Sequence, residues 1–165
     1  YSAENLSTLP VQKMGGSSGV INQTMRILSV EGFQASLEYF EKATERFRNR
    51  ENREVLIYSA NALESTLKVI VTKLGLRDLE KEKVKGPGDL IDDLLKSDFF
   101  SKNLGYFAKN LNSYLLNGLG SLANPERHGQ ITSSPVPDSY AMLGLHLAGS
   151  FITFLMTVYQ EDKRT

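Results

Sequence analysis

Residues 52–75 read NREVLIYSANALESTLKVIVTKLG. Val55, Leu63, Leu67, Ile70, Val71 and Leu74 fall on one face of an α-helix, and no apolar-polar alternation of the kind a half-buried strand needs runs through the stretch. Gly75 suits the left-handed position just past a helix C-terminus. The spacing predicts a helix over about 52–74, and its neighbours on either side follow the same period.

Upstream, Phe33, Leu37, Phe40 and Phe47 share a face, with Glu41, Arg46, Arg48 and Arg50 largely elsewhere. That helix ends in the polar run RNRENRE, residues 48–54. Downstream, RDLEKEKVKGPGD (77–89) is a charged connection closing on Gly-Pro-Gly, a strong breaker, after which Asp89 can cap a short helix, LIDDLLKS. Leu104, Phe107, Leu111 and Leu115 mark another long helix that stops near Gly118-Leu119-Gly120. The last begins after SSPVPDS (133–139) and presents Tyr140, Leu143, Leu147, Phe151, Phe154 and Val158. Four main amphipathic helices plus short ones define an all-α helical bundle. Residues 33–165 form this domain. Residues 1–32 are a weakly structured lead-in, with PVQKMGGSSGV (10–20) flexible and VINQTMRILSV (20–30) open between helix and strand.

Bulk properties narrow the function. The length of 165 residues suits one domain with a real core. A formal net charge of zero gives no global basic field, so a polyanion would need a local site. The absence of cysteine removes disulfides and thiolate metal sites and fits a reducing, cytoplasmic compartment. Two separated histidines leave a protein-borne zinc site short of ligands, so no metal and no cofactor is expected. No apolar run is taken to reach membrane-spanning length, and no membrane is expected as a partner. The chain opens on Tyr1 rather than Met and is read as the C-terminal part of a longer protein.

Phosphate-loop, dinucleotide-loop, nucleophile-elbow and HExxH motifs are absent. Asp92-Asp93 reads as a solvated face. His146 reads as an edge histidine bonded to a neighbour. Arg46, Arg48, Arg50 and Arg53 are interspersed with Glu45, Glu51 and Glu54, which favours a solvated helix end over a nucleic-acid patch. Glu64 and Lys68 are one turn apart beside Leu63 and Leu67, placing a charge pair at the core margin as a local stabiliser or as support for a site.

The informative loop is GLGSLANPERHG, residues 118–129. Pro125 fits the first position of a helix or the second of a turn, with Asn124 before it as cap or turn initiator. Either geometry brings residue 123 toward His128 and leaves backbone N–H groups beside the imidazole, suited to an anion. An imidazole beside a phosphate-sized site suits proton transfer; an ordinary loop histidine fits the same residues.

ANALESTLKVIV, then GLGSLANPERHG, then SYAMLGLHLAGSFITFLMTVY together resemble the C-terminal domain of bacterial abortive-infection proteins, within the HEPN group of helical-bundle ribonucleases. The resemblance spans about residues 50–160. The HEPN signature is Arg, commonly followed by Asn, then His after four to six intervening residues. Here His128 takes the histidine place, Asn124 the asparagine place, and Gly129 follows, but the arginine place holds Ala123. The resemblance implies metal-independent RNA cleavage in anti-phage defence: the ribose 2′-hydroxyl attacks the adjacent phosphate and leaves a 2′,3′-cyclic phosphate. Histidine serves as acid or base, and arginine holds the phosphate. It also implies a two-fold homodimer with paired motifs, substrate contacts near Arg127 and Gly129, and regulation by an N-terminal sensor domain or an antitoxin. Ala123 is then a deliberate inactivation, a natural pseudoenzyme, or a loss covered by Arg127. The alternative is a non-catalytic helical module for dimerisation or partner docking.

Overall fold

In a computed structural model that describes residues 17–84, 86–100, 110 and 135–162, the chain forms α1 (Ser17–Leu28), α2 (Gln34–Arg48), α3 (Asn52–Lys73), α4 (Pro87–Lys96) and α5 (Asp138–Asp162). Among the described residues there is no strand. The all-α expectation holds. The helix expected around Leu104, Phe107, Leu111 and Leu115 lies outside the described residues, as does the loop 118–129.

α3 is the centre of the packing. Val55, Leu63, Leu67, Ile70 and Val71 are fully buried, joined by Leu56 and Ala62. Each such aliphatic side chain contributes about 1.5–3 kcal/mol when taken out of water. The helix stops where the sequence indicates: Gly75 has φ +67°, its N–H donates to Thr72 O at 3.0 Å, and Leu76 N–H donates to Val71 O at 3.0 Å. This paired closure satisfies carbonyls the helix would otherwise orphan.

The same closure ends α2, with a difference. Arg50 N–H donates to Phe47 O at 3.2 Å and Glu51 N–H to Arg46 O at 2.9 Å, yet the left-handed position is occupied by Arg50 at φ +59°. A side chain there costs about 1–2 kcal/mol relative to glycine. The turn of three residues makes α2 and α3 antiparallel neighbours.

α3 and α5 run parallel. Their starts meet where Asn52 Nδ2 donates to Asp138 Oδ1 at 2.7 Å. Their far ends lie beside the α1–α2 turn, where Lys73 reaches Gly32 and Tyr159 packs edge-on against Phe33 with centroids 5.9 Å apart.

Several expectations are corrected. Within 1–32, the segment expected to be a weakly structured lead-in forms α1 from Ser17 onward; docking against α5 overrides the poor local propensity of Ser and Gly, burying Thr24 and Leu28. α4 begins at Pro87 rather than after Asp89, because a proline with preset φ and no N–H starts a helix well. On α5, Tyr140, Leu143 and Leu147 are 48%, 52% and 38% exposed. Phe151 is buried as expected, and the rest of the buried side is Ala141, Gly144, Leu145, Ala148, Gly149, Ile152, Leu155, Met156 and Tyr159. An almost uniformly apolar helix offers no polar face to orient it, so small residues that admit close backbones decide. By length and composition α5 is also apolar enough to cross a membrane, contrary to the reading of the sequence; in the fold it packs against α1, α2 and α3.

Gly149 shows how close the approach is. A Cβ there would lie 2.9 Å from Thr24 Oγ1, 3.0 Å from Phe40 Cζ and 3.2 Å from Val20 Cγ1. Thr24 Oγ1 also donates to Gly149 O at 3.0 Å and meets Thr153 Oγ1 at 3.1 Å. Gly149→Ala is expected to lower unfolding free energy by about 1–3 kcal/mol in urea melts, overpacking outweighing the helix propensity gained; a more stable variant would mean that α1 and Phe40 yield freely.

Asp92-Asp93 is also corrected in part. Asp92 is exposed, but Asp93, 13% exposed, receives a two-pronged hydrogen bond from Arg77, Nε to Oδ2 at 2.6 Å and a terminal nitrogen to Oδ1 at 2.9 Å. That bond raises the Arg77 guanidinium pKa against the opposing effect of partial burial, and it pins the α3–α4 connection to α4.

Candidate functional site

The pole where α2 ends and α3 and α5 begin gathers charged and polar side chains around a cleft. Asn52, in the first turn of α3, donates from Nδ2 to Val136 O at 2.8 Å and to Asp138 Oδ1 at 2.7 Å. An open cleft of about 490 Å³ lies there, lined by Arg50, Asn52, Arg53, Pro135, Val136 and Asp138 together with Glu51 and Glu54. The strand of chain leaving the His128 loop re-enters the described structure at Pro135, the seventh residue after that histidine.

Electrostatically this pole is balanced rather than basic. Arg46 pairs with Glu51, and that hydrogen bond is the main reason the Arg46 pKa is raised; the charge of Glu51 adds to it, with Tyr58 and Glu45 contributing less. Arg53 is also engaged by a partner. The interspersed acids fit the reading of a solvated helix end over a general nucleic-acid patch. Asn52→Ala should cost about 1–3 kcal/mol in unfolding free energy and speed hydrogen exchange of the Tyr140 and Ala141 amides, which bond to Pro137 O across the first turn. Unchanged exchange there would show that Asn52 does not hold the start of α5.

The residues singled out in the sequence are distributed as follows. Ala123, Asn124, Arg127, His128 and Gly129 lie outside the described residues. Glu64 and Lys68 form the expected pair, Nζ to Oε1 at 2.7 Å, each side chain partly exposed; at such exposure the pair contributes a few tenths of a kcal/mol. His146 is half-buried on α5 and has a partner. Among the described residues no group of three or more His, Asp or Glu side chains is arranged to hold a metal ion.

Sequence reasoning missed the Asn52 tie, which joins residues 86 apart and leaves no local signal. It also missed an ordering of charge on α2. Tyr39, Lys42 and Arg46 share one stripe, while Glu38, Glu41 and Glu45 repeat the same spacing one residue earlier. The displaced repeat was present in the sequence as a signal.

No curated protein and no solved structure matches this chain. The family model Abi_C, described as a HEPN-like domain, matches residues 34–159, from the first residue of α2 to within three residues of the end of α5. With most of the helical bundle matched, the chain belongs to the Abi_C family of HEPN-like domains.

Proposed function

We propose that the domain is a metal-independent ribonuclease of the abortive-infection type, working in anti-phage defence as a cytoplasmic homodimer, and that this chain is silenced by Ala123. One observation carries the reading: within a HEPN-like family, Asn124, His128 and Gly129 stand at signature spacing, with four residues separating position 123 from the histidine.

The chemistry follows from those residue types. A base removes the ribose 2′-hydroxyl proton, the oxygen attacks the adjacent phosphorus, and the P–O5′ bond breaks. The departing 5′-oxygen takes up a proton, leaving a 2′,3′-cyclic phosphate. His128 supplies or removes one of these protons. The missing arginine is the group that would hold the phosphate and offset its developing charge. Only RNA has the attacking hydroxyl. Arg127, adjacent to His128, and Gly129 contact substrate beside it, and the Glu64–Lys68 pair stabilises α3.

The test incubates single-stranded RNA in EDTA with this chain and with its Ala123→Arg variant. Cleavage to cyclic-phosphate ends by the variant alone supports the reading; intact RNA with both, and harmless expression of the variant, overturns it. Ala123 itself favours a second reading, a non-catalytic module that binds RNA or a partner protein. That reading gains if Ala123→Arg changes nothing.

A further inference from the structure

On α2, Tyr39, Lys42 and Arg46 occur at i, i+3 and i+7, so they form one stripe. Glu38, Glu41 and Glu45, all exposed, have identical spacing one residue earlier, and one residue is about 100° of rotation. The outer face of α2 is thus sorted into an acidic strip and a basic-aromatic strip. Contacts fix where the second one points. Tyr39 stacks on Tyr58 of α3, with centroids 6.5 Å apart and planes 25° from parallel. Lys42 Nζ lies 5.9 Å from the Tyr39 ring centre, and Arg46 reaches Glu51 on the turn into α3. Arg50 continues the line of cations, exposed, on a backbone at φ +59° that glycine would occupy without strain.

From this the geometry points to the α2–α3 groove as a binding surface for single-stranded RNA, resting on the ribonuclease reading above: Lys42, Arg46 and Arg50 contact phosphates while the Tyr39–Tyr58 pair offers a stacking platform for bases. Glu51 pairs with Arg46 and Glu54 lines the cleft with Arg50, while Glu38 and Glu41 stand on the strip one residue earlier. An acidic polypeptide would use the cations but has no use for the tyrosines. Unpaired bases expose the π-faces that such a pair engages, whereas a duplex hides them. The cations lead along the groove toward the cleft at Arg50 and Pro135.

The test is fluorescence anisotropy of a 5′-labelled ten-uridine RNA against the full chain. Expected is saturable binding, with log affinity falling against log salt at a slope of about −2 for three phosphate contacts on a single strand. Lys42→Gln should reduce that slope by about 0.7. Tyr39→Leu should weaken binding about tenfold and Tyr39→Phe should restore it. Arg50→Gly should weaken binding while melting no lower than the parent, which separates binding from folding. Glu41→Gln is the control and should not weaken it. The surface is overturned if the oligonucleotide fails to bind, if Lys42→Gln and Tyr39→Leu bind like the parent, or if polyglutamate displaces RNA equally with and without the Tyr39 ring. Cleavage by the Ala123→Arg variant that ignores these substitutions removes this surface and keeps the nuclease. Binding that follows them in a chain whose Ala123→Arg form leaves RNA intact keeps the surface and removes the nuclease.

Discussion

Ala123→Arg is expected to raise cleavage of single-stranded RNA in EDTA by about 10³-fold or more over this chain. The size comes from what an arginine does at a phosphate in reaction: a fixed guanidinium offsetting charge in phosphoryl transfer is worth about 10³–10⁵ in rate. The control is non-additive by design. His128→Ala added to the Arg-bearing variant should remove about 10²–10⁴ of that rate, the range for a positioned acid or base. The same His128→Ala change made in this chain should alter nothing measurable, because groups that act as a unit fail together. Product ends are read by their resistance to ligation until the cyclic phosphate is opened and the resulting monophosphate removed. Equal activity of the variant with and without His128 would detach the histidine from the chemistry.

Phe40→Ala is expected to cost about 3–5 kcal/mol of unfolding free energy. Phe40 is fully buried, and its ring tip sits 3.0 Å from the position a Cβ would take at Gly149, so the side chain fills the junction of α2 and α5. Domains of this size hold about 5–15 kcal/mol in total, which leaves the variant near the edge of folding. Phe40→Leu, closer in volume, should be much milder. Urea unfolding followed by circular dichroism decides it, and a loss below about 1 kcal/mol for Phe40→Ala would mean that the site collapses readily around the missing ring.

What the sequence revealed and what it hid divide along a physical line. The α3 face, the Gly75 closure and the Glu64–Lys68 pair were legible because each depends on residues within a few positions of one another. The start of α1 was hidden because Ser17, Ser18 and Gly19 favour no helix by themselves and are carried by the docking of Thr24 and Leu28 further along. The orientation of α5 was hidden because an apolar helix has no polar side to mark its exposed face; Gly149 and Thr24 set it through a contact across 125 residues. Of the candidate site, the pattern Asn124-Pro125-Glu126-Arg127-His128-Gly129 was legible as spacing alone, while the cleft at the start of α5 depends on Asn52 reaching Asp138.

That tie has an electrical consequence. Because α3 and α5 begin side by side and run the same way, their backbone dipoles add, and each presents about half a positive charge at this pole; α2, ending there, returns about half a negative one. The peptide groups alone thus leave a residual positive field. Glu54 and Asp138, in the first turns of the two helices, are its resident counter-ions. An anion that comes to this pole therefore takes the place of the protein's own carboxylates, and its uptake is an exchange rather than an addition.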